Sequence, residues 1–383
     1  MRALYIHIPF CRKLCPFCTF AVRKNRPSLH EDYLDALIQE MELRVHQWGP
    51  WSKSLRSIYV GGGTPSSLTL KEAERLITAL KKYFFFSGEM EFAWELNPED
   101  VSQEYISGLQ GLGINRVSLG GQSFNTSTLQ KLGRLHSAKH FHQAIHNIEL
   151  GGITNYNVDL MFGIPGQSFE MFTEDLQTLL QYEPAHISLY CLEVHSRTAF
   201  GHQPEVLEWT QEHTALFEHM YLSAIETLAS ARYHHYEVSN FSRPGKQSGS
   251  NMLVWSGADY LGIGSGAHST MGHQRWGNTR SASDYIRRIQ KGEDFLEFHE
   301  TLRLVQKANE FLMLALRQPS GIHVGNWEAR FGVKWSLFQQ KLAERFYEEG
   351  LAYRPDGASF SLTPKGLLLA DAITERLMIT ESF

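Results

Sequence analysis

The stretch Leu4-Tyr5-Ile6-His7-Ile8-Pro9-Phe10-Cys11-Arg12-Lys13-Leu14-Cys15-Pro16-Phe17-Cys18 passes from a short apolar segment into a loop holding three of the chain's four cysteines. Residues 4–8 have the aliphatic and aromatic composition of a buried strand, and Pro9 ends it. The Cys-x3-Cys-x2-Cys array thus sits on one loop at a strand's C-terminal end. Four cysteines in 383 residues cannot form a disulfide scaffold, and their clustering argues for metal. The fourth, in Ile187-Ser188-Leu189-Tyr190-Cys191-Leu192, reads as a small apolar core residue on a strand.

Outward from that loop, strand-like runs alternate with helical periodicity through the first two-thirds of the chain, the pattern of βα units around a parallel sheet. Six strands are expected, at 4–8, 57–61, 91–96, 116–119, 157–162 and 186–192. Capping-box spacing starts helices at Ser28 with Glu31 and at Thr69 with Glu72. Apolar positions at three- and four-residue steps predict further helices over 102–111, 138–150, 169–181 and 208–231. Six such units make a partial TIM-like (β/α)6 barrel, an α/β fold whose chemistry lies where the strands end. From about residue 300 the pattern becomes helices at 301–316, 335–349 and 364–376 around a hairpin at 352–362 that turns at Asp356-Gly357, a small winged-helix-like domain. The expected division is a barrel over 1–235, a Gly-rich connecting segment over 236–299 and the C-terminal domain over 300–383.

Hydrophobic residues at 42% and charged residues at 20% are enough for a sizeable core and leave no room for extensive disorder. The formal net charge of −5 supplies no broad basic field for phosphate neutralisation, which argues against a nucleic-acid partner for the winged-helix-like domain as well. The N-terminal apolar run is too short for a signal peptide and leads directly into the cysteines. No run approaches the roughly 20 apolar residues of a membrane span, so a cytoplasmic protein is expected.

Three thiolates can hold three irons of a cubane and leave the fourth iron open to the amino and carboxylate groups of a small molecule. Spacing alone also admits a structural zinc site of three Cys and one His, with His7 as the obvious fourth ligand, or three unrelated cysteines. Further along, Gly61-Gly62-Gly63-Thr64-Pro65 follows the second strand, where glycines let backbone amides approach a ligand. Glu95-Leu96-Asn97-Pro98 sets a carboxylate at the end of the third. A turn and a solvated strand end are the ordinary alternatives for these two.

Tyr5-x-His7-Ile8-Pro9-Phe10-Cys11-x3-Cys15-x2-Cys18 resembles the signature of the radical S-adenosylmethionine enzymes, in the branch containing oxygen-independent coproporphyrinogen III dehydrogenase (HemN) and the HemW heme chaperones. Ordered motifs extend the resemblance over nearly the whole chain. It implies a [4Fe–4S] cluster on Cys11, Cys15 and Cys18, with S-adenosylmethionine on the open iron and cleaved there after one-electron reduction. It also implies that Gly62, Gly63, Thr64 and Glu95 contact that cofactor. Gly120-Gly121-Gln122-Ser123-Phe124 contributes Gln122, Gly133-Arg134-Leu135-His136 contributes Arg134, and the run from Val158 to Gln167 contributes Asp159. Tyr5 and Phe17, inside the signature, complete the implied contacts.

Two features resemble the HemW-type subgroup: the chain begins almost at the cysteine motif, and Thr19-Phe20 follows Cys18 where the dehydrogenases carry a further cysteine. The segments Tyr236-Glu237-Val238-Ser239-Asn240-Phe241 and Tyr260-Leu261-Gly262-Ile263-Gly264-Ser265-Gly266-Ala267-His268-Ser269 are also similar. The implied partners are heme or another tetrapyrrole, a flavodoxin or ferredoxin as reductant, and a heme-receiving client protein. HemW chaperones carry His-Asn-x-x-Tyr-Trp, where this chain has Ser250-Asn251-Met252-Leu253-Val254-Trp255, and serine is a poor axial ligand for heme iron. His234, His235 and His268 are the substitutes to weigh against ordinary packing roles. Coproporphyrinogen decarboxylation, or radical chemistry on another substrate, is the alternative activity.

Overall fold

In the computed structural model, which describes residues 3–48, 55–86 and 88–380, the expected six strands are β1 (Ala3–Ile8), β2 (Ser57–Gly62), β3 (Glu91–Leu96), β4 (Arg116–Gln122), β5 (Tyr156–Phe162) and β6 (His186–Cys191). They pair in chain order and all in parallel. Helices His30–Trp48, Leu70–Tyr83, Gln103–Leu112, Ala138–Leu150 and Phe169–Leu180 return the chain between consecutive strands.

Strand alternation decides what lies inside. Leu4, Ile6 and Ile8, then Ile58 and Val60, then Val117 and Leu119, and then Val158, Leu160, Ile187 and Leu189 are all buried in the main apolar core. The residues between them face the other way: Tyr59, Glu95, Ser118, Asn157, Asp159, Ser188 and Tyr190 line one cavity. A TIM barrel ordinarily fills its interior with branched apolar side chains. Here the interior is polar and hollow.

The segment expected as a connector contributes more strands. Beyond β6 the sheet is extended antiparallel by β7 (His234–Glu237) and β8 (Asn240–Ser242). On the other side β9 (Tyr260–Ile263) pairs in parallel with β1, and β10 (His268–Met271), β11 (Gln274–Asn278) and β12 (Leu296–Thr301) continue antiparallel from it. The order is β12-β11-β10-β9-β1-β2-β3-β4-β5-β6-β8-β7, an open twelve-stranded sheet with seven parallel strands at its centre. The seventh was not counted from sequence because Gly262 and Gly264 interrupt its apolar run.

Other boundaries shift for local reasons. Thr69 and Glu72 do form a capping box. Ser28, expected to cap the first helix, lies instead inside a 3-10 turn, Pro27–Leu29, because Pro27 presets the backbone for that turn; the α-helix starts at His30. The helix expected over 208–231 is two, Pro204–Glu212 and Thr214–Ser230, broken at His213. Helix Gly249–Trp255 closes the end of the barrel away from the cysteines: the Glu91 carboxylate accepts from the backbone N–H groups of Gly249 and Ser250 at 2.8 and 3.0 Å. The C-terminal domain packs Leu304–Leu316, Val324–Phe331, Leu337–Glu348 and Ala370–Leu377 around a three-stranded sheet of Ile322–His323, Ser359–Leu362 and Ala352–Tyr353. Among the described residues no helix is long and apolar enough to cross a membrane.

Candidate cofactor site

The cysteine loop is tied down along its length. Phe10–Cys11 pairs in parallel with Arg23–Lys24, the Cys18 N–H reaches the Cys15 carbonyl at 3.2 Å, and Phe200 N–H reaches the Pro16 carbonyl at 2.9 Å. So held, Cys11, Cys15 and Cys18 face a cavity of about 460 Å³ together with Phe17, Gly62, Gly63, Thr64, Glu95, Gln122, Arg134 and Asp159. Eleven of the twelve residues expected at the site are thereby brought together. Tyr5 is not among them: its side chain is turned to His7, whose Nδ1 lies 3.0 Å from the Tyr5 hydroxyl, and to the ring of Tyr59.

His7, the zinc alternative's fourth ligand, is buried with both ring nitrogens engaged, Nε2 lying 2.8 Å from the Ala21 carbonyl. The thiols meet donors suited to anionic sulfur. Thr64 Oγ1 lies 3.6 Å from Cys11 Sγ, and Arg134 Nη1 lies 3.6 Å from Cys15 Sγ. The second Arg134 nitrogen, Nη2, donates to Asn97 Oδ1 and the Gly120 carbonyl, both at 2.7 Å. Its Nε is buried without a partner among the described residues, the kind of group a ligand carboxylate satisfies. This donor set fits a cluster and a small zwitterion beside it.

Gln122 adopts φ +71° at a bulge in the β4–β5 ladder, which turns the end of β4 and sets its side chain into the cavity. Such a backbone costs a non-glycine residue energy, and it recurs where function constrains geometry. Gly62 has φ +114°, and a β-carbon there would lie 2.4 Å from the His7 ring. Glycine is required at this position both by conformation and by the close approach of β1.

The two interior carboxyls are perturbed. Burial pushes Glu95 up to about 7, opposed by hydrogen bonds from the Tyr59 hydroxyl (2.7 Å) and the Gly62 N–H (2.9 Å). Burial likewise pushes Asp159 up to about 6, opposed by the Asn157 amide at 2.7 Å. Each holds its proton more tightly folded than unfolded, so its contribution favours folding at low pH and is lost as pH rises through the folded value. The ligand-free protein is therefore expected to lose stability between about pH 4.5 and 7 from Glu95. Glu95→Gln should flatten that slope, read from denaturation midpoints at several pH values; an unchanged slope would contradict the assignment.

Residues that the sequence reading passed over complete the cavity. Asn97 joins Arg134 to Thr64, donating to Thr64 Oγ1 at 3.0 Å. Lower down, Asn157 bridges Ser118 and Asp159, His186 Nδ1 lies 2.6 Å from Asn157 Oδ1, and His186 Nε2 lies 2.7 Å from the Tyr236 hydroxyl. Their signal was the polar phase of strand alternation. Cys191, expected in the core, lies outside it: it shares the phase of Ile187 and Leu189 but ends β6 beyond the last core residue of that strand, where it is exposed and lines the cavity. Ser250, on the closing helix, is buried and hydrogen-bonded to the hydroxyl of Ser57 at the start of β2.

Sheet, loop and cavity together make a radical-SAM-type barrel, and comparison with known proteins agrees. Residues 5–179 match the model of the Radical SAM superfamily, and residues 302–369 match that of the HemN C-terminal domain. The heme chaperone HemW of Lactococcus lactis is 31% identical over 99% of this chain and 98% of its own, and that of Bacillus subtilis is 31% identical over 97% and 98%. The chain belongs to the HemW family. Among solved structures, coproporphyrinogen III oxidase (HemN) from Escherichia coli, titled a radical SAM enzyme, superposes with a TM-score of 0.83 over 98% of this chain and 90% of its own; at 22% identity that is a likeness of fold. Family membership implies a [4Fe–4S] cluster and S-adenosylmethionine.

Proposed function

We propose that Cys11, Cys15 and Cys18 hold three irons of a [4Fe–4S] cluster, that the remaining cavity residues seat S-adenosylmethionine beside the fourth, and that the protein binds heme and hands it to a client in the cytoplasm. The observation that carries this reading is the convergence of the three thiols with Gly62, Gly63, Thr64, Glu95, Gln122, Arg134 and Asp159 on one cavity, although they come from six separate stretches of chain. When bound, the cluster supplies an electron for cleaving the sulfonium. The chain's part is to bind and tune. Donors from Thr64 and Arg134 to the sulfurs stabilise added negative charge and so favour the reduced state. Glu95 and Asp159 offer acceptors for amine or ribose groups, and their place inside the sheet's concave face limits water at the reacting end.

Relatives matched over their full length carry the heme-chaperone name, whereas the coproporphyrinogen oxidase match rests on fold; this favours heme handling over decarboxylation. Heme ligation falls to a residue other than Ser250, which is enclosed at the barrel floor. Of the three histidines, His235 is stacked on Phe241 at 4.5 Å and half enclosed, whereas His234 and His268 are exposed. His268 stands edge-on to the exposed Phe298 ring at 5.3 Å, and the partial burial of its ring together with the Arg280 and Arg275 charges lowers its pKa, favouring the neutral imidazole that ligates iron.

The test is anaerobic reconstitution followed by heme titration with and without S-adenosylmethionine. A saturable Soret band is expected, weakened in His268→Ala and unchanged in Ser250→Ala. Absence of saturable binding with an intact cluster would overturn the heme reading.

A further inference from the structure

We propose that His186 is a positioning residue: anchored by the Tyr236 hydroxyl at the barrel floor, it aims the Asn157 amide at Asp159 and so fixes the acceptor that Asp159 offers to hydroxyls of the nucleoside. This rests on the cofactor reading above and adds what orients one of its contacts.

The residues adjoin across the sheet. Asn157 is the register partner of Ser118 on β4 and of His186 on β6, and Asp159 follows two residues later on the same face of β5. All of them line the cavity, yet Asn157, His186 and Ser188 are almost completely buried. A barrel interior is ordinarily filled with branched apolar side chains, and a buried polar network in their place is costly unless every member is satisfied.

Here the partners admit one assignment. Asn157 Nδ2 lies 2.7 Å from both Ser118 Oγ and Asp159 Oδ1, and a carboxylate only accepts, so the amide nitrogen faces Asp159 and Oδ1 faces His186. His186 Nδ1, 2.6 Å from that oxygen, therefore carries the ring proton. Burial, helped by the Arg116 charge, lowers the imidazole pKa well below its usual value and keeps the ring neutral, so Nε2 accepts from the Tyr236 hydroxyl at 2.7 Å. The Tyr236 oxygen in turn accepts from the Ser248 N–H at 3.4 Å, at the N-cap of the closing helix. Donors thus run one way, from the closing helix to Asp159. Ser188 does not replace His186: its Oγ lies 3.1 Å from Asn157 Oδ1, but it has one proton and Asn240 Oδ1, at 2.7 Å, is its nearer acceptor. Without the His186 N–H the amide is free to turn its carbonyl toward the carboxylate.

The test titrates S-adenosylmethionine into the cluster-loaded full chain by calorimetry at pH values on both sides of about 6, to which burial raises Asp159. The Asn157 N–H favours the charged carboxylate, so losing it raises that value further, and affinity that needs the carboxylate is then lost at a higher pH. His186→Leu is expected to bind about tenfold more weakly near neutral pH, with its pH midpoint displaced upward. His186→Asn, which keeps an N–H where Nδ1 stands, should restore both. Tyr236→Phe removes one oxygen, should move the midpoint in the same direction, and decides the matter if His186→Leu does not fold. Glu95, Tyr59, Tyr190 and Arg134 also face Asp159 and are unchanged in all three variants, so a displacement from wild type belongs to the Asp159 network. A loss of affinity equal at every pH, or His186→Asn as impaired as His186→Leu, would overturn the proposal and leave His186 a structural residue. NMR of the chain carrying isotope-labelled aspartate, without cluster, follows the same midpoint in a resonance identified by Asp159→Asn. Should S-adenosylmethionine not bind wild type, the cofactor reading fails, while that resonance still decides whether His186 governs Asp159.

Discussion

Cys15→Ala is expected to abolish cluster assembly, taking iron from about four atoms per chain after anaerobic reconstitution to under about one. Cys15 occupies the middle of the loop: its carbonyl accepts from Cys18 N–H and its sulfur takes the Arg134 guanidinium. Two thiolates from the same loop leave two irons of a cubane without protein ligands, and an under-ligated cluster dissociates. The substituted side chain is only half enclosed, so the fold should survive and circular dichroism should match wild type. Cys191→Ala is the informative contrast. That residue lines the same cavity, yet it lies on β6 and outside the loop, so iron content is expected to be unaltered. Iron retained in Cys15→Ala, or lost in Cys191→Ala, would mean that the ligand set is wrong.

The second large effect is one of packing. A β-carbon at Gly121 would lie 1.8 Å from the Phe141 ring, which is fully buried and stacked on Phe124 at 4.1 Å with planes 11° apart. The ring has no direction in which to yield, so Gly121→Ala is expected to destabilise by about 3 kcal/mol, at the upper end of overpacking costs. Damage should reach the site as well, because Gly120 accepts from Arg134, the Gly121 carbonyl from His136, and Gln122 holds the bulge. S-adenosylmethionine affinity is therefore expected to fall together with the denaturation midpoint. Gly111→Ala, at an exposed position of helix Gln103–Leu112 with nothing near its β-carbon, should stabilise by up to about 1 kcal/mol. If both substitutions were neutral, the close approach at Gly121 would be refuted.

Strand periodicity made the fold readable in the sequence, since six parallel strands each carry a continuous apolar phase. The three cysteines were readable because their spacing puts them on one loop whatever the rest of the chain does. Resemblance located Gln122, Arg134 and Asp159, which no local pattern distinguishes from surface residues. Asn97, Asn157 and His186 escaped because each is an ordinary polar residue until neighbouring strands set its register: Asn157 lies opposite His186 on one side and Ser118 on the other. Tyr5 shows the converse. It sits inside the motif, but the β1 pleat directs its hydroxyl to His7. The strands at 260–301 give little strand signal because Gly262 and Gly277 interrupt β9 and β11, while His268–Met271 is short and Leu296–Thr301 is polar and exposed.

The place of β1 in the sheet has a consequence for biosynthesis. It is translated before every strand it touches, and the edge it offers to β9 stays open until residues 260–263 have left the ribosome. The loop's tethers, Phe200 and Arg280, are likewise late arrivals. Throughout that interval the nascent polypeptide displays three unsheltered thiols to oxidants and stray zinc. On the proposed ligand assignment, iron is expected to load only after residues 260–280 have joined the loop, and the long-range pairing of β1 with β9 is expected to make that step slow.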